Sequence, residues 1–271
     1  MAKYKKKRAR ELQHDRFRDA AMTLFDRLGN QLEGRGRVIL YGLGGIVLVA
    51  LLTLVIVKWR HRKTDEAQRA LGRAITISTT AVSSASPDPA SPADPTIPKF
   101  SSEQERAQKS VEEFQKVAAK YGEPYHSEAR YLAATNLLIV DRNKGLAELA
   151  ELSKINNVEV AALAKFALAQ AHEADAKYEE AAQLYRELAG SGSQVVTPET
   201  ANLRLALVYA KQGKKKEASD LLFTIVDASR KAKGSDQLPL PPSSAAGAAA
   251  EELQKLDPER YAQLPEAPPP V

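Results

Sequence analysis

The chain has 271 residues, 27% of them charged and 44% hydrophobic, which allows one core of ordinary size, or one core plus a membrane anchor, and excludes a large multidomain enzyme. It has no cysteine, so a disulfide framework and a thiolate metal site are both excluded. The net charge of +5 is local: residues 1–37 hold eleven of the 39 Lys and Arg against five acids.

That tail opens with the run Lys3-Tyr4-Lys5-Lys6-Lys7-Arg8-Ala9-Arg10, followed by Phe17, Ala21, Leu24, Leu28 and Leu32 at helical spacing. The plain reading is a solvated topogenic tail; next to it, a basic amphipathic helix of this kind suits an anionic leaflet, at about 1 kcal/mol per basic residue near the surface. Contact with RNA phosphates would rest on charge alone, without interleaved aromatics, and no nucleic-acid partner is expected.

From Val38 to Val57 the chain runs VILYGLGGIVLVALLTLVIV, 20 residues without a charge. At 1.5 Å per residue this is about 30 Å, the hydrocarbon thickness, and predicts a transmembrane helix over 38–57. A cleaved signal peptide fits poorly, because the run is long, begins late, and is followed by WRHRK with no small-residue cleavage pattern. Orientation stays open on charge, since residues 58–73 hold six Lys and Arg against three in 20–37, while the whole tail holds eleven.

Beyond the span, Ala-rich and Leu-rich sequence predicts helix, interrupted at 83–101 by a Pro/Ser-rich insert too poor in apolar residues to fold. A helix-pair period runs through this part. Leu168-Ala169, Ala181, Tyr185 and Leu188 recur 37 residues on as Leu205-Ala206, Ala218, Leu222 and Ile225. They recur 36 residues back as Leu132-Ala133, Gly145, Leu149 and Leu152. The small residue stands where helices A and B of a pair cross, and the large ones follow on helix B. Ser110, Phe114 and Val117 repeat the helix-B half at an offset of 35, with residues 65–82 as the displaced helix A. Asp141–Lys144 and Gly190–Ser193 are read as longer turns. The predicted fold class is therefore all-α, a single transmembrane helix followed by a tetratricopeptide-like solenoid of helix pairs over 58–230. Residues 231–271 form a Pro-rich tail in which 244–256 predicts a short capping helix.

No residues converge as a catalytic site does. His14, His61, His126 and His172 lie far apart. Glu112-Glu113, Glu179-Glu180 and Glu251-Glu252 are neighbours that point about 100° apart on a helix, and no nucleophile-elbow or phosphate-loop motif occurs. An enzyme, a metal site and a cofactor are not expected. What the repeat offers is a helix-A face: Arg130, Phe166 and Leu203 fall at equivalent positions, with Gln170 about one turn and Glu173 and Lys211 about two turns further along. An aromatic and an aliphatic beside charges suit transient capture of a protein segment. The alternative is that Phe166 and Leu203 pack between helices, since periodicity does not separate the two faces.

The order of parts is a basic tail, a span ending in Lys58-Trp59-Arg60, the helix Asp65-Glu-Ala-Gln-Arg-Ala70, and a loop. The pairs SEARYLAATNLL, AKFALAQAHEADAKYEEAAQLY and ANLRLALVYAKQGKKKEASDLL follow. In this order, over about residues 15–230 on the repeat pattern, the chain resembles the YfgM-like family of bacterial inner-membrane proteins. These are ancillary subunits of the SecYEG translocon with a periplasmic tetratricopeptide-like domain. The resemblance implies a cytoplasmic N-terminus, a periplasmic C-terminal domain, and SecYEG, periplasmic chaperones and newly translocated envelope proteins as partners. A structural scaffold of an envelope or division complex, without client holding, is the competing expectation.

Overall fold

The structure, a computed structural model, describes residue 53 and residues 63–82, 99–235 and 237–266. The predicted basic tail, nearly all of the predicted span 38–57, and residues 83–98 of the insert lie outside the described residues. Among the described residues no helix is long and apolar enough to cross a membrane. The chain divides into two compact units, Met1–Thr64 and Asp65–Val271, and the helical stack belongs to the second.

That unit is all-helical with repeat-like packing. Its helices are α1 (residues 63–79), α2 (Glu103–Lys120), α3 (Tyr125–Val140), α4 (Arg142–Leu152), α5 (Val158–Ala174), α6 (Tyr178–Ala189), α7 (Pro198–Lys211), α8 (Lys215–Lys231), α9 (Ser244–Leu256) and the single turn α10 (Pro258–Tyr261). Strand pairing among the described residues is limited to two isolated bridges.

Caps explain where half of these helices begin. Ser102, Asp141, Asn157, Thr197 and Ser243 each accept a backbone N–H of the first turn through the side chain, a bond whose removal costs about 1 kcal/mol. Two helices end alike. After α5, Lys177 N–H donates to the His172 carbonyl and Ala176 N–H to that of Glu173. After α7, 37 residues on, Lys214 donates to Tyr209 and Gly213 to Ala210. Both are left-handed terminations, with φ +57° at Ala176 and +76° at Gly213.

The core is a row of overlapping clusters, each shared by one pair and the next helix. Leu71 and Ala74 of α1 meet Phe114 and Val117 of α2 and Ala129 and Ala133 of α3. Leu149 and Leu152 of α4 meet Ala134 of α3 and Val160, Ala164 and Leu168 of α5. Tyr185 and Leu188 of α6 meet Ala169 of α5 and Leu205 and Val208 of α7. Leu222, Ile225 and Val226 of α8 meet Leu203 and Ala206 of α7 and Ala245, Ala246, Ala249 and Leu253 of α9. No pair covers its own apolar face, and stacking covers it.

The small-residue positions carry the closest approaches. Ala181 and Ala218 are fully buried. At Gly145 a Cβ would stand 2.7 Å from the Leu138 nitrogen and 2.9 Å from its Cδ2, so α3 and α4 touch almost backbone to side chain.

Two features differ from the sequence reading and one accords with it. Asp141 caps α4 and Arg142 is already helical, so a single residue rather than a four-residue turn joins α3 to α4. The capping helix expected over 244–256 is present as α9, and it completes the cluster begun by α7 and α8. At the insert, a parallel bridge between Val82 and Phe100 brings the entering and leaving chain together, and Phe100 is buried.

Candidate functional site

The six residues singled out for the helix-A face sit on α3, α5 and α7, the first helices of three successive pairs. The structure brings Glu173 and Lys211 together, adds Phe166 through a shared neighbour, and separates Arg130 and Leu203 from them.

Glu173 lies in the last turn of α5, where the helix dipole is unfavourable to a carboxylate, and it is 7% exposed. Two cations from α7 and a phenol from α6 compensate. Arg204 Nη2 donates to its Oε2 at 2.6 Å, Lys211 Nζ to its Oε1 at 2.7 Å, and the Tyr185 hydroxyl to Oε2 at 3.2 Å. Arg204 Nε also reaches the Tyr185 oxygen at 3.4 Å, with its guanidinium 5.9 Å from the centre of the ring. Burial alone would raise the Glu173 carboxyl, but the Lys211 and Arg204 charges and the Tyr185 hydroxyl together outweigh it and hold it below the ordinary glutamate value. Burial likewise pushes the Tyr185 phenol up to about 12, so at neutral pH it is a hydrogen-bond donor. The cluster carries two cations and one anion, and Lys211 remains half exposed. It is thus a fixed spot of net positive charge.

Phe166 stands edge-on to Tyr185, ring centres 5.7 Å apart at 66°, the arrangement the ring quadrupoles favour. Its ring is half-buried against the α5–α6–α7 cluster. Gln170 is exposed one turn before Glu173. Leu203 is buried in the α7–α8–α9 core and acts there as a packing residue.

Arg130 belongs to a separate feature. Its Nε and Nη2 both lie 2.7 Å from Glu148 Oε1 on α4. The pair edges a cavity of about 280 Å³ lined by Gln115, Ala118 and Ala119 of α2, His126, Ala133 and Leu137 of α3, and Glu148. Three of the lining residues are alanines, and His126 Nδ1 is held 2.8 Å from the Ala118 carbonyl.

Sequence reasoning missed Arg204 and the part Tyr185 plays. Tyr185 was legible as a large helix-B residue, but its hydroxyl contact was not. Arg204 meets Glu173 only because α7 is rotated to place it there, and no spacing rule encodes that rotation. Among the described residues no group of three or more His, Asp or Glu is placed to hold a metal ion. No family model, curated protein or solved structure matches the chain.

Proposed function

We propose that this chain is a membrane-anchored tetratricopeptide-like module for protein–protein interaction, held by a transmembrane helix at 38–57 and working beside the SecYEG translocon. Its N-terminus is then cytoplasmic and its helical domain periplasmic, where the helix-A face holds segments of newly translocated envelope proteins alongside periplasmic chaperones. The anchor is supported by 20 uncharged residues flanked by Arg35 and Arg37 on one side and Lys58, Arg60 and Arg62 on the other. The translocon and its clients rest on the family resemblance.

One observation carries the repeat reading. Ala133, Ala169 and Ala206, then Gly145, Ala181 and Ala218, then Leu149, Tyr185 and Leu222 are buried at offsets of 36 and 37 residues, each set in the same role within its pair. A solenoid of such pairs offers a pre-formed face, and tethering raises its effective concentration over emerging chains.

The test is suppression of aggregation of a chemically denatured protein by the full chain in detergent micelles, followed by light scattering. Phe166→Asp is expected to abolish suppression. Because that ring packs on Tyr185, Gln170→Trp provides a variant that crowds the face without touching the core, and it should also lose suppression. A wild-type chain that leaves aggregation unchanged, or a Gln170→Trp chain as active as wild type, would overturn client holding in favour of the scaffold reading.

A further inference from the structure

Between α8 and α9 the chain runs through Leu238-Pro-Leu-Pro-Pro242, five consecutive exposed residues. Sterics settle its shape before packing does. Proline fixes φ near −65° at 239, 241 and 242, and Leu238, Leu240 and Pro241 each precede a proline and are driven from the helical region. Ser243, the next residue, is itself extended at φ −64° and ψ 162° before capping α9.

Both ends are fastened. Gly234 N–H donates to the Leu238 carbonyl at 2.9 Å and Leu240 N–H to that of Ala232 at 3.1 Å, around a Lys233–Pro239 bridge. At the far end the Ser243 hydroxyl donates to Glu199 at 2.6 Å. The fastening uses one edge and leaves the leucines outward, with Leu238 63% and Leu240 45% exposed.

We propose that Leu238–Pro242 is a pre-ordered polyproline II ligand for a partner whose groove is lined by aromatic side chains. Addition to a sheet edge is disfavoured, since three of the five residues have no N–H and the Leu240 amide is already engaged. A polyproline groove needs no such donors. It reads apolar faces that repeat every three residues, and Pro239 and Pro242 lie one such turn apart. Fastening both ends removes most of the ordering cost that a free peptide bears on binding. Exposed Lys233, across the bridge from Pro239, sets a cation beside the segment and asks for a carboxylate at the groove rim. This inference is independent of the helix-A face.

The experiment titrates the full chain in detergent micelles into two ¹⁵N-labelled probes with tryptophan-lined grooves, one SH3 domain and one WW domain, and follows the groove indole N–H signals. Saturable shifts are expected with at least one probe. The double variant Pro239→Ala/Pro242→Ala should weaken binding at least tenfold, and Leu238→Ala/Leu240→Ala should weaken it too, both with unchanged circular dichroism. Absence of shifts with both probes, or shifts that survive the proline variant, would overturn the proposal. So would concentration-dependent self-association that the proline variant abolishes while neither probe responds, since the segment would then serve a second copy of the chain.

Discussion

The carboxylate of Glu173 near the end of α5 and the guanidinium of Arg204 on α7 meet at 2.6 Å across 31 residues of sequence. The contact ties one pair to the next directly, past the intervening α6, and Lys211 adds a second tie 38 residues away. Glu173 is therefore a joint between repeats as well as part of the candidate face.

Replacing Glu173 by Gln should cost about 2 kcal/mol at neutral pH, toward the lower end for charged hydrogen bonds because both cations retain access to water. The Glu173 carboxyl is held below its ordinary value in the folded chain, so its stabilisation is complete above the unfolded value of about 4.3 and fades as pH falls through the folded one. Urea unfolding of wild type and Glu173→Gln should therefore differ at pH 7 and converge at acid pH. A difference independent of pH would contradict the linkage.

Tyr185→Phe removes one hydroxyl and leaves the buried ring in place, and a loss of about 1 kcal/mol is expected. Tyr185→Ala empties a site of zero exposure and should lose about 3–5 kcal/mol. Comparable losses for the two, read from thermal melts, would mean that the polar contact rather than packing dominates at this position.

The paired helix ends make a matched prediction. Ala176 holds φ +57° where Gly213 holds +76° one repeat later, and a side chain in that region costs about 1–2 kcal/mol. Ala176→Gly should stabilise the domain by roughly 1 kcal/mol and Gly213→Ala should destabilise it by a similar amount. Equal signs in the two unfolding measurements would contradict equivalence of the two positions.

Two helical glycines should respond oppositely to the same change. Gly145→Ala drives a Cβ into the Leu138 backbone and should cost about 1–3 kcal/mol through overpacking. At Gly247 on α9 a Cβ would meet open space, with nothing within 4 Å, so Gly247→Ala should stabilise by about 0.5–1 kcal/mol. A neutral Gly145→Ala in denaturant titration would mean that α3 and α4 do not approach so closely.

The helix-pair plan was legible because burial in a repeat recurs at a fixed offset: Leu149, Tyr185 and Leu222 stand in one column of the sequence and in one role in the core. The detached helix before the insert was legible for the same reason, since Phe114 and Val117 lack an inner partner until Leu71 and Ala74 supply one. Helix 244–256 was legible as a short capping helix, but the core residues it meets were not, because alanine spacing does not name the surface it packs on. Leu203 illustrates the limit at the candidate face. Periodicity marks it apolar, and only the arrival of α9 decides that it is interior. Asp141 shows a local limit, as a residue of turn character can cap the next helix at once and leave no turn to see.

The most direct test of the central claim is topology, which the cysteine-free sequence makes clean. Single cysteines replace Ala9 in the basic tail and Asn156 in the exposed connection between α4 and α5. Spheroplasts are treated with a membrane-impermeant maleimide, and the membrane fraction is then analysed. The chain should remain in the membrane fraction, with labelling at 156 and none at 9. Labelling at 9 alone, or release of the chain into the soluble fraction, would contradict a periplasmic interaction module held by a single span.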